Sequence, residues 1–494
     1  MDTRQRTFSS LESLSSCNIL IVDIGDVLLS WSLGQNSVSP KIIKEMRSSS
    51  LWNDFERGRI SQQKCYEMLG SRFDILATDI ARTFSEARTT VRIETQLFHY
   101  IRALKDKQGL AVYAMSNISR EDYNYIRALN IDWDVFDGIF TSFSAGLRKP
   151  DLSFFHKVIS ETGINPPKAV FVDDKLDNVI VAQSTGMRGI VFHDPNQIIR
   201  AITNLVCDPV ERARRFLRQN VGLHHSVTST GVIIHENFAQ YLILDLTGDK
   251  SLIKVWEKRD FLNFFKEKAQ MTTETFPADL DTTAIRWSTE KNVSLTDLDF
   301  IMDEMLQYCN DDGIIQVYFD HERVRVDPIV CVNVLAFFYM HGRGEELRST
   351  LAWVVSVLTT RAFLDGTRYY KSADAFLYFF SRLLSFGDTT RRLYRKYASL
   401  LSERLRERIG SQGDSLELGM RILACASVHI IDTLDTERLR ERQNLDGSWE
   451  DGWIYRFVQT GIYIGNKGLT TAFAMRAIET ASLYRGKPIL IPPS

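Results

Sequence analysis

The chain changes its sequence pattern near residue 195, and this change constrains the fold more than any other feature. Before it, from Asn18 to Asp194, short apolar runs alternate with segments of helical spacing, as in parallel α/β units. After it, helical periodicity continues to the end of the chain. With 494 residues, 44% of them hydrophobic, the chain can bury two sizeable cores. We therefore predict two folded domains, 18–200 and 201–494, after a flexible N-terminus of residues 1–17.

Four apolar runs in the first part end in polar residues. They are NILIVD, GLAVYAMSN, KAVFVDD and RGIVFHD, ending at Asp23, Asn117, Asp174 and Asp194. Buried parallel strands present functional groups at their carboxyl edge, so the chemistry of this domain is predicted there. Residues 39–104 have helical spacing without a strand and are too long for a simple crossover. They predict a helical cap inserted after the first strand.

Composition narrows the classes of partner and compartment. The 60 Lys and Arg residues nearly balance 62 Asp and Glu residues, so no net field favours nucleic acid. The six cysteines form no CxxC pair, which argues against a zinc site or a disulfide framework. No stretch has the roughly 18 apolar residues of a membrane span, and the N-terminus lacks the apolar core of a secretory signal. We expect a cytoplasmic protein without a nucleic-acid partner or stable membrane insertion. The oligomeric state is left open.

Six polar residues at the predicted sheet edge can form a phosphate site: Asp23, Ser116, Asn117, Lys149, Asp173 and Asp174. The first lies on a tight turn, where a nucleophile can sit. The serine hydroxyl and the asparagine backbone N–H can bind a phosphate oxygen, and the lysine can neutralise its charge. The last two carboxylates are hard oxygen ligands of the kind Mg²⁺ prefers. A single carboxylate after a strand is usually a cap or turn residue, but this ordered set is far more specific.

Residues 18–195 resemble the haloacid-dehalogenase-like phosphohydrolases, and the helical insert matches their cap. The four sequential motifs of that family are matched by Asp23, Ser116, Lys149 and the pair Asp173-Asp174. The resemblance implies that Asp23 attacks phosphorus to form an aspartyl-phosphate. It implies that Ser116, Asn117 and Lys149 bind the phosphoryl group. It also implies a Mg²⁺ site built from Asp23, the backbone carbonyl of Gly25, Asp173 and Asp174.

The first motif departs from the family pattern at Gly25. The family usually carries a second Asp there, two residues after the nucleophile, to protonate the leaving group. Asp26 comes one residue later and points elsewhere if the turn is standard. Some phosphatases of the superfamily carry Gly at this position, so activity is not excluded. Because an alkoxide needs a proton to leave and a phosphate does not, we predict that cleaving a diphosphate to a monophosphate suffers less than releasing an alcohol.

The second part contains the segment FPADLDTTA, with Asp279, Asp281, Thr282 and Thr283. One interpretation is a helix N-terminus with Asp or Thr caps. The other is a strong acid, Asp281, poised above an apolar cavity and able to protonate a carbon–carbon double bond. Aromatic faces can stabilise the resulting cation and exclude water. The candidates for that cavity wall are Trp287, Tyr369, Tyr370, Phe376 and Trp453.

The segment 279–283 is similar to the DxDTT signature of class II terpene cyclases. A second segment, QNLDGSW from Gln443 to Trp449, is similar to the QW motif of their α-barrel domains. There, Gln443 and Trp449 would be structural and would tie a helix end to its neighbour. Residues 173–177 spell DDxxD, but they follow a strand and are interpreted as the fourth phosphohydrolase motif. The predicted fold is therefore a Rossmann-like α/β domain with a helical cap, followed by an all-α barrel.

Together the two halves resemble the fungal and bacterial drimane-type sesquiterpene cyclases, which use farnesyl diphosphate. The resemblance implies that Asp281 protonates the terminal alkene and that Asp279 with Thr282 or Thr283 orients it and supports its proton supply. Two rings would close to a drimanyl, drimenyl or albicanyl phosphate ester, and the Mg²⁺-dependent N-terminal site would remove one or both phosphates. Two alternatives stay open. One is a monofunctional class II cyclase that releases the bicyclic diphosphate beside an inactive phosphohydrolase domain. The other is a phosphatase fused to a helical interaction module.

Overall fold

A computed structural model describes residues 17–32, 38–254, 260–273, 275–291, 293–457 and 460–484. The predicted flexible N-terminus lies outside these residues except for Cys17, which is buried. The chain divides into two compact units, Met1–Cys207 and Asp208–Ser494. Within the described residues no helix is both long and apolar enough to cross a bilayer. All six cysteines are free thiols.

The first unit is built on a five-stranded parallel sheet in the order β5-β4-β1-β6-β7. The strands of this unit are β1 (Ile19–Val22), β2 (Leu29–Ser30), β3 (Arg92–Ile93), β4 (Ala111–Ser116), β5 (Gly138–Thr141), β6 (Ala169–Asp173) and β7 (Arg188–Val191). Its helices are α1 (Pro40–Arg47), α2 (Ser50–Glu56), α3 (Gln62–Phe73), α4 (Ala77–Thr89), α5 (Thr95–Gln108), α6 (Arg120–Arg127), α7 (Ser142–Ala145), α8 (Leu152–Thr162), α9 (Leu176–Ser184) and α10 (Pro195–Val206). The predicted Rossmann-like α/β fold is confirmed.

Alternation along the strands explains why the sheet is covered on both faces. Leu20 and Val22 of β1 enter one core with helices α5 and α10, while Ile19 and Ile21 enter a second core with α8 and α9. Successive side chains of a strand point to opposite faces, so a strand buried on both faces is apolar throughout. This arrangement puts β1 in the centre, with its carboxyl end between those of β4 and β6.

The cap is shorter than the sequence predicts. Helices α1 to α4 share their own core, which includes Trp52, Phe55 and Tyr66. Helix α5, whose first ten residues fall in the predicted cap of residues 39–104, instead packs its apolar residues into the core of the sheet. The segment also contains the two-residue strand β3, paired with β2. At the other end, the predicted boundary at residue 200 falls inside α10, which packs on the sheet.

The second unit is a ring of helices with a small sheet. Its helices are α11 (Pro209–Gln219), α12 (Phe238–Thr247), α13 (Leu280–Thr289), α14 (Leu295–Leu306), α15 (Pro328–Met340), α16 (Arg348–Thr360), α17 (Ala373–Leu383), α18 (Arg391–Arg406), α19 (Ser415–Ser427), α20 (Thr433–Glu441) and α21 (Lys467–Tyr484). Its strands are β8 (Ser226–Thr228), β9 (Ile233–Ile234), β10 (Trp453–Phe457) and β11 (Ile462–Gly465), which form an antiparallel sheet in the order β10-β11-β8-β9.

Six of these helices close an inner ring. Helix α12 packs on α13, and contacts continue through α15, α17, α19 and α21 back to α12. Helices α11, α16, α18 and α20 pack outside the ring. Inner helices such as α15 and α17 are buried almost all round. Helix α15 is correspondingly apolar on every side, whereas α17 carries the buried charged residues Asp374 and Arg382. The predicted α-barrel is confirmed, whereas the helical pattern did not indicate the sheet of β8 to β11.

Candidate active sites

The centre of the first unit brings the predicted phosphate-site residues together. Asp23 follows β1, Ser116 ends β4 and Asp173 ends β6, so three neighbouring strands deliver them to one edge. All three are at least 95% buried. The Asp23 carboxylate accepts a hydrogen bond of 2.7 Å from the Ile24 N–H, which fixes its orientation on the turn.

Lys149 is the cation of this site and is fully buried. Its Nζ lies 2.9 Å from Asp23 Oδ2 and 2.6 Å from Asp173 Oδ2, and it donates to the Met115 carbonyl. The Asn117 amide bonds the Lys149 backbone in both directions, at 2.8 Å each. The side chain of Asn117 therefore holds the lysine loop, and only its backbone N–H is left for the predicted contact with phosphate.

Three carboxylates here suit a divalent cation. Asp23, Asp173 and Asp174 each offer one oxygen, and these oxygens all lie within 4.8 Å of one another. Asp174 Oδ1 is buried and has no hydrogen-bond partner among the described residues. Burial raises the pKa of Asp23 to about 7 against the opposing charge of Lys149, and burial also raises the pKa of Asp174. Three buried carboxylates carry more negative charge than Lys149 can balance, and hard oxygen donors of this kind fit Mg²⁺.

Gly25 leaves room where the family usually places an acid. A Cβ built at this position meets only Trp31 Cη2, at an ordinary distance of 3.9 Å. The next residue, Asp26, is exposed and has a left-handed backbone, with φ of 57°. Gly25 itself therefore supplies no acid to the leaving group.

In the second unit, Asp279 and Asp281 lie at the N-terminus of α13, where Asp279 acts as a helix cap and Asp281 lies in the first turn. Asp279 is the N-cap, and its Oδ1 accepts a hydrogen bond of 2.6 Å from the Thr282 N–H. The Thr283 hydroxyl donates to the Asp279 carbonyl and accepts from the Leu262 N–H. These bonds fix the first turn of the helix on which Asp281 stands.

The hydrogen-bond partners of Asp281 are not those predicted. Asn333 of α15 donates to Asp281 Oδ1 at 2.8 Å, and the Tyr370 hydroxyl donates to Oδ2. Neither Thr282 nor Thr283 hydrogen-bonds to this carboxyl group; they act on the helix turn instead. Asn333 could have been noticed as the one amide within the apolar run VCVNVLAFF of an otherwise buried helix.

Burial favours the neutral form of both carboxyl groups. Burial raises the pKa of Asp281 to about 8, and the nearby charge of Asp279 adds to this. The hydrogen bonds from Tyr370 and Asn333 oppose the rise. Burial likewise raises the pKa of Asp279 to about 7, against the Thr282 N–H. Asp281 is therefore a protonated acid whose conjugate base already has two donors in place.

The acid faces a cavity of about 580 Å³. Its aromatic lining consists of Phe238, Phe264, Phe265, Phe276, Tyr318, Tyr369, Tyr370, Tyr455 and Phe457. Of the predicted wall residues, Tyr369 and Tyr370 belong to it. Trp287, Phe376 and Trp453 do not: the Trp287 indole donates to the Asp260 carbonyl, Phe376 stacks on Phe363, and Trp453 packs against Tyr463. Helical spacing alone does not tell which face of a helix meets the cavity.

Four arginines that the sequence analysis missed line the same cavity: Arg323, Arg325, Arg368 and Arg456. Arg323 pairs with Asp320 at 3.3 Å, whereas the other three have no carboxylate within 4.0 Å in the described chain. Arg325 donates to the Tyr369 hydroxyl, and Arg456 donates to the Thr367 carbonyl. Arg368 is exposed and the others are half-buried, while the two acids are buried. The cavity thus combines a cationic rim near solvent with a protonated acid inside.

The QW-like segment makes hydrogen bonds to two helices. Gln443 follows α20, and its amide donates to the Pro209 carbonyl at the start of α11 and to the Gly447 carbonyl, at 2.9 Å each. The Trp449 indole is fully buried and donates to the Leu439 carbonyl at 2.7 Å. The contacts are structural and lie away from the cavity lining.

Two family descriptions match the chain. Residues 62–186 match haloacid dehalogenase-like hydrolase, and residues 210–341 match sesquiterpene cyclase astC-like C-terminal domain. Among curated proteins, drimenol cyclase drtB of Aspergillus calidoustus is 41% identical over 468 residues, covering 93% of this chain and 87% of that protein.

Two further similarities are partial. Sesquiterpene phosphatase astK of Aspergillus oryzae is 40% identical over 175 residues, covering 35% of this chain and 89% of the phosphatase. The solved structure of the type II terpene cyclase MstE from Scytonema aligns over 58% of this chain and 99% of its own, with 11% identity and a TM-score of 0.41.

Proposed function

The chain belongs to the family of drimane-type sesquiterpene cyclases with a haloacid-dehalogenase-like domain, and we propose that it cyclises farnesyl diphosphate by protonation and then removes phosphate from the bicyclic product. It is a bifunctional enzyme that combines terpene cyclisation with phosphate removal. The observation that carries the proposal is the cavity in which a buried neutral acid, aromatic walls and unpaired arginines occur together.

Cyclisation begins at Asp281. Its carboxyl proton passes to the terminal alkene of farnesyl diphosphate, and the carboxylate left behind is stabilised by the donors Asn333 and Tyr370. The aromatic lining stabilises the cation while two rings close, and it excludes water that would trap it. Loss of a proton from the bicyclic drimanyl cation then gives a drimenyl or albicanyl diphosphate.

The arginines of the rim hold the diphosphate. Arg325, Arg368 and Arg456 lack carboxylate partners among the described residues, so an anion can satisfy their charge. Anchoring the charged end near solvent leaves the apolar chain to fill the interior, where it meets the acid.

Phosphate removal takes place at Asp23. Its carboxylate attacks phosphorus, and Ser116, the Asn117 N–H and Lys149 hold the phosphoryl oxygens. Asp23, Asp173 and Asp174, with the Gly25 carbonyl, would hold Mg²⁺, which would supply positive charge to offset that of the phosphate. Because Gly25 supplies no acid, a phosphate leaves more readily than an alkoxide, so the bicyclic monophosphate forms faster than the alcohol.

Six free thiols suit a reducing compartment, so we place the enzyme in the cytoplasm. Its partner is a small prenyl diphosphate, and the near-zero net charge gives no reason to invoke nucleic acid.

The test uses purified wild type, Asp281→Asn and Asp23→Asn with farnesyl diphosphate and Mg²⁺, followed by mass spectrometry of organic products and free phosphate. The wild type gives bicyclic monophosphate or alcohol, D23N gives bicyclic diphosphate, and D281N gives only linear products. Asp26→Asn, an exposed neighbour of the nucleophile, is the control and behaves as wild type.

Each contrary result identifies one alternative. Ring formation by D281N would remove the assigned acid. Identical phosphorylated products from wild type and D23N would mean a monofunctional cyclase. Linear products from the wild type would leave a phosphatase with a helical interaction module.

A further inference from the structure

Two consecutive tyrosines of the cyclase cavity have different partners. Tyr369 and Tyr370 both line the cavity and lie on the segment before α17. The Tyr370 hydroxyl donates to Asp281, where the reaction begins. The Tyr369 oxygen instead accepts one hydrogen bond of 3.1 Å from the Tyr318 hydroxyl and one of 3.2 Å from Arg325, an arginine of the rim. The proton donation by Asp281 makes no use of this second cluster.

The directions of these hydrogen bonds leave each phenol with one free position. Because the Tyr369 oxygen accepts from both Tyr318 and Arg325, its own O–H proton points elsewhere, and no group of the described residues accepts it. The Tyr318 oxygen gives its proton to Tyr369 and accepts no hydrogen bond from the part of the chain that the structure describes. A proton can therefore enter at the Tyr318 oxygen, and another can leave from Tyr369.

Tyr318 is fixed in the cavity wall and kept out of water. It forms a backbone bridge with Asp279, its side chain is 3% exposed, and its ring packs edge-on against Phe276 at 5.5 Å. Burial raises the pKa of Tyr318, and the neighbouring Tyr369 phenol and Asp279 raise it further. The charge of Arg325 opposes this rise. The phenol therefore stays neutral, and its oxygen can accept a proton.

The chemistry of the substrate determines which end of the cavity needs a base. Protonation of the terminal alkene starts a ring closure that moves the positive charge along the chain toward the diphosphate. After two rings have closed, the charge lies on the third carbon of the farnesyl chain, two bonds from the carbon that bears the diphosphate. Loss of a proton from the methyl group on this carbon gives the exocyclic alkene, and loss from the neighbouring ring carbon gives the endocyclic one. The base is therefore needed toward the rim, where Arg325 lies.

We propose that Tyr318 is the base that ends cyclisation and that Tyr369 passes the proton to the bound diphosphate; this inference rests on the proposed cyclase function. A lone pair of the Tyr318 oxygen takes a proton from the cation, and the electron pair of the broken C–H bond forms the new alkene. Tyr318 gives its own hydroxyl proton to the Tyr369 oxygen, and Tyr369 gives its own to a diphosphate oxygen. Both phenols end neutral, and the diphosphate has gained the proton that the cation lost. Arg325 orients Tyr369 in this step.

The experiment measures how the final cation divides among products. Wild type, Tyr318→Phe, Tyr369→Phe and the double variant are incubated with farnesyl diphosphate and Mg²⁺ in H₂O and in D₂O. The products are dephosphorylated with added phosphatase and resolved by gas chromatography with mass spectrometry. In Tyr318→Phe, the ratio of the main wild-type alkene to other alkenes and to water-trapped bicyclic alcohols should fall at least about tenfold. Total ring formation should fall less, because Asp281 and its two donors are intact.

Two further results are specific to the transfer between the phenols. Tyr369→Phe should shift the product ratio in the same direction, and the double variant should shift it no further than Tyr318→Phe, because both hydroxyls act in one step. D₂O should change the ratio in wild type, since two phenolic protons move in the step that forms the product. This effect of D₂O should disappear in Tyr318→Phe.

Tyr241→Phe is the matched control. It removes a phenol hydroxyl that is buried and without a partner among the described residues, but Tyr241 does not line the cavity, so the product ratio should not change. An unchanged ratio in Tyr318→Phe, with or without loss of ring formation, would overturn the proposal. A shift that Tyr369→Phe does not share, or an effect of D₂O that persists in Tyr318→Phe, would overturn it as well. A wild type that forms no bicyclic product would instead defeat the proposed cyclase.

Discussion

Two hydrogen bonds to Asp281 oppose the effect of burial on the strength of this acid. Donation from Tyr370 and Asn333 lowers the pKa of Asp281 against the effect of burial. Removing one donor should therefore raise that pKa and destabilise the carboxylate formed in the transition state. A hydrogen bond to a charged group contributes about 1.5–3 kcal/mol, so Tyr370→Phe should lower kcat for cyclisation roughly 10- to 100-fold. The alkaline limb of the pH–rate profile should move to higher pH.

Two further variants make this prediction specific. Asn333→Leu, which removes the other donor, should change both quantities in the same directions. Tyr378→Phe removes the hydroxyl of another buried tyrosine that does not line the cavity, and it should change neither. A fall in kcat without movement of the pH profile would show that Tyr370 acts through packing rather than through the acid.

Gly25 allows the opposite experiment, in which a group is added. The added Cβ of Gly25→Asp meets only Trp31, and a carboxyl group two residues after the nucleophile could protonate a leaving alkoxide. General acid catalysis typically contributes about 10²–10⁴-fold. We expect G25D to speed hydrolysis of the bicyclic monophosphate by at least about tenfold and to change diphosphate cleavage much less. Phosphate release from the two substrates, measured separately, gives the ratio; an unchanged ratio would contradict the leaving-group argument, with Gly25→Ala as the control.

Among single residues, the sequence predicts those that stand in a short local motif. Asp281 and Asp23 each stand in a short motif, so their neighbours along the chain identify them. Asn333 and the rim arginines do not, because they come from elements far apart in sequence and meet only in the folded barrel. The pair Arg323 and Arg325, two residues apart, was the available signal, but spacing of that kind is common on exposed loops.

Among the elements, the QW-like turn depends on one glycine. Gly447 has a φ of 93°, and a Cβ there would lie 2.4 Å from the Arg212 carbonyl oxygen of α11. Gly447→Ala should therefore destabilise the second unit by about 2–3 kcal/mol, through backbone strain and the clash together. Chemical denaturation measures this loss. Phosphate release by the first unit should persist at denaturant concentrations where cyclisation is lost.

Gly461→Ala separates the two causes. Gly461 also has a positive φ, of 68°, but an added Cβ meets nothing within 4 Å. Its cost should be limited to the backbone strain, about 1 kcal/mol. Equal losses in the two variants would mean that the contact with α11 is unimportant.

The elements also show where prediction from periodicity ends. The inner helices are long and apolar, so their existence follows from the sequence, but closure of α21 on α12 joins residues more than 200 positions apart and leaves no local pattern. Strands β8 and β9 have three and two residues, too few to display alternation. The helical spacing of α5 predicts a helix but does not tell which core the helix joins, because that depends on tertiary packing.

For the whole molecule, we expect phosphate release to depend on a metal ion and ring formation not to depend on one. The described residues contain one group of three or more metal-type ligands, Asp23 with Asp173 and Asp174, and it lies in the first unit. In the cyclase cavity, burial raises the pKa of Asp281 to about 8 and that of Asp279 to about 7, and a protonated carboxyl group is a poor metal ligand. Chelation with EDTA should therefore stop phosphate release and leave ring formation, so that bicyclic diphosphate accumulates. Loss of ring formation under the same conditions would show that the arginines alone do not position the substrate.

The same buried carboxyls should also make the stability of the second unit depend on pH. In the unfolded chain Asp281 ionises with its ordinary pKa of 3.8, whereas in the fold its pKa is about 8. Between these values the unfolded state binds fewer protons, so stability falls as pH rises, by about 1.4 kcal/mol per unit for a fully retained proton. Asp281→Asn has no proton to retain. Its advantage in free energy of unfolding over wild type should therefore grow from pH 5 to pH 8, as measured by urea denaturation.

Ionisation of Asp281 in the folded enzyme should also limit cyclisation at high pH. Above about pH 8 Asp281 loses its proton in the folded enzyme and can no longer protonate an alkene, so wild-type activity should fall there. A constant difference between D281N and wild type would mean that Asp281 is already ionised in the fold. Asp281 would then need another source of its proton. The proton that Asp281 retains in the fold makes the folded state less stable as pH rises, and the same proton begins the reaction.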